Sequence, residues 1–120
     1  MSTLGLDIGG ASLKVATSTG EAWSQRFALW KHPERLADEL VALLERSTSK
    51  RIAVTMTGEL CDAYQTKDEG VNHILDSLLR AAKGRDILVW QNDGRFVSPN
   101  EARFDAWKTG ASNWLALATY

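Results

Sequence analysis

The chain has 120 residues, a size at which one hydrophobic core supports a single domain. It carries 14 Lys and Arg against 15 Asp and Glu, and this balance argues against a dedicated nucleic-acid binder. The single cysteine excludes an internal disulfide and a metal site built from several thiolates. Neither a signal peptide nor a membrane-spanning apolar run is visible, so the sequence predicts a cytoplasmic protein without a membrane partner.

The first third of the sequence predicts an antiparallel meander of three short strands. Apolar or alternating runs are separated by glycines, which is the pattern of strands joined by tight connections. The predicted strands cover residues 4–8, 12–18 and 22–29.

Helical and strand patterns alternate through the rest of the chain. Apolar residues at helical spacing predict amphipathic helices, and a capping box at Thr66 and Glu69 begins the second of them. Short apolar runs predict two further buried strands. The predicted helices cover 33–44, 66–83 and a last segment from 107 onward, and the two strands cover 52–57 and 87–90. This order predicts an α/β fold with an antiparallel edge on an otherwise parallel sheet.

The segment from Asp7 to Lys14 carries the residues best suited to chemistry. Asp7 ends the first predicted strand, and Gly9 and Gly10 form a turn in which the backbone can approach a ligand closely. Ser12 and Lys14 share one face of the next strand. A carboxylate that can hold hydrated Mg²⁺, turn amides and a nearby lysine suit a phosphate ester. The simpler alternative is a β-hairpin with a double-glycine turn and an incidental aspartate.

A second candidate group follows the predicted central strand. Thr57, Gly58 and Glu59 lie where ligands of open α/β sheets bind, beyond the carboxyl ends of the strands. We therefore predict that Thr57 and Gly58 contact phosphate, and that Glu59 joins Asp7 as a catalytic residue, with Glu59 as the general base. The alternative is a strand end followed by an ordinary turn.

Other polar side chains have simpler explanations. Cys61 has no neighbouring histidine or basic cluster, so we expect a buried, unreactive thiol. His73 lacks metal-ligand partners in the sequence and is expected on the exposed side of a helix. Lys67 and Arg95 could each reach an anion, but a solvated first turn and a surface turn account for them as well.

The chain contains five tryptophans, which is unusual at this length. Trp90 and Trp114 have the spacing of core positions. Trp23, Trp30 and Trp107 are expected on a surface that a further lobe or a partner subunit covers.

Several segments of the chain resemble known families. The Asp-x-Gly-Gly turn after a first strand resembles the first phosphate loop of the actin, sugar-kinase and heat-shock chaperone superfamily, whose core is a ribonuclease-H-like sheet. Further segments resemble the hydantoinase/oxoprolinase-related family, in its branch linked to tetrahydromethanopterin one-carbon metabolism and methanofuran biosynthesis. These segments are GLDIGGASLK (5–14), LWK (29–31), VTMTGEL (54–60), TKDEGV (66–71), DGRF (93–96) and ASNW (111–114).

The resemblance implies that residues 1–120 form the N-terminal, phosphate-binding lobe of a longer two-lobed protein. It implies a transferase or ligase of cofactor biosynthesis that handles a diphosphate or nucleotide with Mg²⁺, with ATP or another phosphate ester as the ligand. The missing lobe or a partner subunit would complete the site, so the 120-residue chain alone is expected to be inactive. Two alternatives stay open: a non-catalytic interaction module with a kinase-like fold, and a small-molecule kinase.

Overall fold

The computed structural model describes residues 2–110. Six strands form one mixed sheet in the order β3-β2-β1-β4-β5-β6. The strands are β1 (Thr3–Ile8), β2 (Ser12–Thr17), β3 (Ala22–Arg26), β4 (Arg51–Met56), β5 (Asp86–Trp90) and β6 (Phe96–Val97). The helices are α1 (Leu36–Leu44), α2 (Lys67–Ala82), α3 (Pro99–Phe104) and α4 (Ala106–Thr109). The α/β prediction is thereby confirmed.

The pairing of the strands also agrees with the sequence pattern. β1, β2 and β3 pair in antiparallel fashion and form the predicted meander. β4 lies between β1 and β5 and is parallel to both, while β6 adds a short antiparallel edge. A mixed sheet of this kind is compatible with the ribonuclease-H-like core that the resemblance implies.

The two faces of the sheet differ in character. Buried and half-buried residues alternate along β1 and β4, because successive side chains in a strand point to opposite faces. The buried set from β1 is Leu4, Leu6 and Ile8, which join the apolar residues of α1 and α2 in one core. The other face therefore presents the intervening residues, among them Asp7, and the candidate chemistry lies on this face.

The long helix α2 begins as the sequence predicts. The Thr66 hydroxyl oxygen accepts a hydrogen bond from the amide of Glu69 at 3.1 Å. The Glu69 carboxylate in turn accepts from the amide of Gln65, so both side chains satisfy amides at the helix start. The helix ends at Lys83, whose left-handed backbone (φ 51°) reverses the chain.

The third strand is shorter than predicted. β3 ends at Arg26, whereas the sequence pattern continues to Leu29. The amide of Phe27 donates to the Ala11 carbonyl and that of Leu29 donates to the Gly10 carbonyl, which draws this segment onto the turn between β1 and β2. Leu29 is buried there, so its apolar character reflects core packing of a loop.

Two helix predictions need correction. The helical spacing of the apolar residues predicts that Leu79 lies in the buried stripe of α2, but Leu79 is 43% exposed and Ala81 is buried on that helix instead. The predicted last helix is represented by α4, which ends at Thr109, and the remainder of that prediction, Trp114 included, lies outside the described residues. Among the helices that lie within residues 2–110, none combines the length and apolar character that a bilayer crossing requires.

Candidate functional site

Asp7, Lys14 and Thr55 meet near the carboxyl ends of β1 and β4. Asp7 lies opposite Lys14 across the antiparallel ladder and opposite Thr55 across the parallel one. The Thr55 hydroxyl donates a hydrogen bond to Asp7 Oδ1 at 3.2 Å. Neither Asp7 nor Lys14 belongs to an ion pair formed within residues 2–110. Both charges are therefore available to a ligand on this face.

The environment of Asp7 opposes its own ionisation. Burial raises the pKa of the Asp7 carboxyl above its ordinary value, and this effect outweighs the hydrogen bond from Thr55 and the charge of Lys14, which lower it. A half-buried carboxylate with an elevated pKa gains from any additional cation placed beside it. The pKa shift therefore agrees with a role for Asp7 in holding a cation.

The turn after β1 leaves backbone donors available. The amide of Gly9 donates to the Ser12 carbonyl at 3.0 Å and closes the turn, whereas the amides of Gly10 and Ala11 donate to no acceptor within the described part of the chain. Gly9 and Gly10 have no positive φ, so conformation alone does not demand glycine. A Cβ on Gly10 would lie 3.2 Å from Cys61 Cβ, and one on Gly9 would lie 3.3 Å from the Ser12 carbonyl. Close packing accounts for both glycines.

Thr57 and Gly58 both lie beside the glycine turn, and a Cβ on Gly58 would be 3.4 Å from the Gly9 carbonyl oxygen. The Thr57 amide donates to the Ile8 carbonyl at 2.9 Å, and its hydroxyl lies 3.6 Å from the Cβ position of Gly9. Thr57 is therefore next to the glycine turn. A Cβ on Gly58 would lie 2.7 Å from Leu29 Cδ2, so core packing explains this glycine.

Glu59 follows the end of β4 and is packed between α2 and Gly110. It lies in a short 3₁₀ turn over Gly58–Leu60 and is 3% exposed. Its neighbours are Gly70 on α2 and Gly110 just beyond α4, whose Cβ positions fall within 3 Å of Glu59 atoms. The structure thus packs Glu59 against α2, whereas Asp7 lies on the opposite face of the sheet. The joint catalytic role of Glu59 and Asp7 stays a prediction.

Beside the glycine turn lies a pair that sequence reasoning missed. The Tyr64 hydroxyl is 2.6 Å from His73 Nδ1, and the two rings are 5.5 Å apart. His73 is consequently half-buried, and the prediction of an exposed histidine was wrong. Burial raises the pKa of the neighbouring Cys61 thiol, as does the charge of Asp62, so this half-buried thiol is not activated.

Lys67 and Arg95 are engaged within the chain. The Lys67 ammonium lies 4.7 Å from the ring centroid of Trp107, in cation–π geometry. Arg95 forms an ion pair with Asp93 at 3.1 Å in the turn before β6, which is the surface role that the sequence analysis left open.

The tryptophans divide between core and surface. Trp90 is buried and packs edge-on against Phe96. Trp23 is half-buried beneath the Arg46 guanidinium, 4.7 Å from its ring centroid. Trp30 and Trp107 are 52% and 77% exposed and so have the predicted surface positions, whereas the same prediction for Trp23 was wrong because this ring packs against the core.

The donor set limits the kind of metal this site could hold. Within residues 2–110, no three His, Cys, Asp or Glu side chains form a metal-ligand cluster. Asp7 offers one carboxylate, with the Thr55 hydroxyl beside it. Mg²⁺ commonly binds through one or two carboxylates and completes its shell with water and substrate phosphates. The residues therefore suit a Mg²⁺ ion that arrives with a phosphorylated ligand, and do not suit a permanently held ion.

These features define an α/β protein with a carboxylate, a lysine and a glycine turn at one end of its sheet. No family model matches the chain. The chain is 34% identical to (4-{4-[2-(gamma-L-glutamylamino)ethyl]phenoxymethyl}furan-2-yl)methanamine synthase of Methanocaldococcus jannaschii, across 98% of this chain. It spans 36% of that relative's length. The relative belongs to methanofuran biosynthesis, which agrees with the methanofuran link of the resemblance and does not bear on the hydantoinase family or on a lobe organisation.

Proposed function

We propose that this chain supplies a phosphate-binding wall in a transferase or ligase of methanofuran-type cofactor biosynthesis. The observation that carries the proposal is the juxtaposition of Asp7 and Lys14 beside a turn with two available amides. The 34% identity to a synthase of that pathway supplies the chemical context. In this proposal the enzyme is a longer protein that contains this chain, and the described residues form one side of its binding cleft.

Each group has a part in binding a diphosphate. The amides of Gly10 and Ala11 donate to phosphate oxygens, and the exposed Lys14 ammonium adds a positive charge. The Thr57 hydroxyl, next to Gly9, supplies a further donor. When bound, Mg²⁺ would neutralise charge on the diphosphate, and Asp7 would hold it through water or directly. Preorganised donors stabilise charge that develops on a leaving group, so this wall favours departure of the diphosphate.

The relative's name indicates the reaction class. The named product contains a phenoxymethyl-furan unit, that is, an ether between a phenol oxygen and a furan methylene carbon. We propose that the bond between this carbon and a diphosphate oxygen breaks as the phenol oxygen bonds to the carbon. The diphosphate leaves with the bonding electron pair, and the phenol proton passes to water. The described residues act on the diphosphate in this step.

Binding of pyrophosphate to the chain tests the proposal. We expect millimolar Mg²⁺ and pyrophosphate to shift the amide resonances of Gly10 and Ala11 in a ¹⁵N spectrum, which detects even weak binding. Lys14→Ala should weaken this binding roughly tenfold or more, because hydrogen bonds to charged groups contribute about 1.5–3 kcal/mol. Lys50→Ala is the matched control, since it removes one exposed lysine from the opposite end of β4. Equal affinity in the two variants, or no binding by the wild type, would reject the proposal.

One observation favours an interaction module as a second candidate. Phe104 and Trp107 are 92% and 77% exposed within one short stretch of α3 and α4. Exposed aromatic residues of this kind are enriched in protein interfaces. Light scattering separates this candidate from the first: a dimer that Trp107→Ser dissociates, without any response to pyrophosphate or ATP, would favour the interaction module. Saturable binding of ATP but not of pyrophosphate would instead indicate a kinase.

A further inference from the structure

We propose that Glu59 is a positioning residue that holds the chain at Gly110 against the carboxyl end of β4. Gly110 itself would then be held next to Met56, the residue that precedes Thr57. This inference rests on the proposed function for the role of the glycine turn, whereas the packing around Glu59 can be tested independently of it.

The first observation is a glycine inside α2. Glycine in a helix interior is less stable than alanine by roughly 0.5–1 kcal/mol, so a packing reason is expected. A Cβ on Gly70 would lie 2.7 Å from Glu59 Cα and 3.0 Å from the Glu59 carbonyl oxygen. The helix can therefore approach the 3₁₀ turn only because residue 70 lacks a side chain. Glu59 is fixed from the α2 side by backbone-to-backbone contact.

The second observation is a glycine on the other side of Glu59. Gly110 has extended backbone angles (φ −73°, ψ 154°), which any residue can adopt. A Cβ there would lie 2.5 Å from Glu59 Oε1, and it would also meet Cε of Lys67. Both contacts are with the ends of side chains, so an added Cβ at residue 110 would displace the Glu59 carboxylate and the Lys67 side chain, whereas the backbone conformation itself does not demand glycine.

The backbone at Gly110 is fixed by further contacts. Gly110 forms a parallel bridge with Met56, the last residue of β4. Its carbonyl accepts a hydrogen bond from Asn92 Nδ2 at 3.0 Å, and its amide donates to the Ala106 carbonyl. The chain therefore continues from a defined point next to the strand end. Thr57, the neighbour of Met56, is one of the residues that contact the glycine turn.

The surroundings of the Glu59 carboxylate indicate that it positions the neighbouring chain and does not transfer a proton. A buried carboxylate is costly unless charge or hydrogen bonds compensate it, and the Lys67 side chain runs along the same side of Gly110. The carboxylate faces α2 and Gly110, away from the Asp7 face of the sheet. Glu59 would consequently act on the site through the Thr57–Gly58 turn that it follows.

A double-mutant cycle measures whether the Glu59 side chain is what meets Gly110. Gly110→Ala should raise the unfolding equilibrium constant severalfold, because the ends of the Glu59 and Lys67 side chains must shift to admit a Cβ. We expect this increase to be clearly smaller in a Glu59→Ala background, where the carboxylate is gone. Gly70→Ala is the matched control, because its clash is with Glu59 Cα and carbonyl, which alanine retains. Equal effects of Gly110→Ala in both backgrounds would overturn the proposal.

A second readout separates positioning from acid–base chemistry. Glu59→Gln keeps the shape of the side chain, so we expect it to leave pyrophosphate affinity and its pH dependence unchanged, while Glu59→Ala weakens binding. A Gln variant as defective as the Ala variant, or one with an altered pH profile, would show that the charge itself acts and would overturn the proposal. If the wild type binds no pyrophosphate, the proposed function fails, but the stability cycle still decides the placement of Gly110.

Discussion

Removal of the Asp7 charge should weaken ligand binding without lowering the stability of the fold. Asp7→Asn keeps the size of the side chain and an oxygen that can accept the hydrogen bond from the Thr55 hydroxyl, which is 3.2 Å long in the wild type. It removes a half-buried negative charge whose largest energetic effect is the loss of solvation. We therefore expect the variant to be at least as stable as the wild type at pH 7, with a difference below about 1 kcal/mol.

The sign of the pH dependence follows from the raised pKa of Asp7. The folded state binds a proton at Asp7 more readily than the unfolded chain does, so this carboxyl stabilises the fold below its ordinary pKa of 3.8. That contribution is lost as the pH rises through the higher pKa of the folded state. The free energy of unfolding of the wild type should therefore fall relative to that of Asp7→Asn over this interval and stay level above it. The contributions of all other carboxylates to this pH dependence cancel when the two proteins are compared.

Urea unfolding of both proteins at several pH values provides the measurement, since the midpoint reports stability when the slope is unchanged. Pyrophosphate binding in the presence of Mg²⁺ provides the second measurement, and we expect Asp7→Asn to lose roughly tenfold or more in affinity. Suppose instead that Asp7→Asn is clearly less stable at pH 7 and that its deficit grows with pH. The attraction of Lys14 for Asp7 would then exceed the cost of burial, and Asp7 would be a structural residue.

Three further predictions concern the framework of the site, and urea unfolding measures each of them. Thr66→Ala should cost about 1 kcal/mol, because it removes the oxygen that accepts from the Glu69 amide at 3.1 Å; no loss would mean that this cap contributes nothing. Gly58→Ala should lower the free energy of unfolding by about 1–3 kcal/mol, because the added Cβ would lie 2.7 Å from Leu29 Cδ2. Gly5→Ala is the control, since its Cβ meets only an ordinary contact at 3.5 Å. Equal losses of stability in the two variants would refute the packing argument. Tyr64→Phe should cost about 1 kcal/mol by leaving His73 Nδ1 without its 2.6 Å partner, and an unchanged midpoint would contradict that bond.

The sequence contains enough information to predict the sheet and the Asp7 side of the candidate site. Glycine turns and alternating residues define the hairpin from Asp7 to Lys14, and a tight hairpin leaves little freedom in its register. The two residues therefore had to lie near each other. The parallel placement of β4 beside β1 follows from the order of strands and helices, which brings Thr57 to the same end of the sheet.

Other features depend on contacts that local sequence patterns do not encode. In β4 successive side chains alternate between the two faces of the sheet, but the 3₁₀ turn that follows ends this alternation. The direction of the Glu59 side chain could therefore not be predicted from its position after the strand. Gly70 was the available signal, because a glycine inside a predicted helix suggests a close packing contact, and the structure places Glu59 against it. His73 is half-buried and contacts Tyr64 from the loop before α2, a contact between residues nine positions apart that helical spacing does not indicate.

The proposed function depends most on the claim that the glycine turn and Lys14 bind the phosphates of a ligand. A crystal structure of the chain with Mg²⁺ and pyrophosphate tests this claim most directly. We predict diphosphate oxygens within hydrogen-bond distance of the Gly10 and Ala11 amides and of Lys14 Nζ. Diphosphate bound instead at the other end of the sheet, in the basic pocket that Lys50, Lys83 and Arg85 line, would contradict the account.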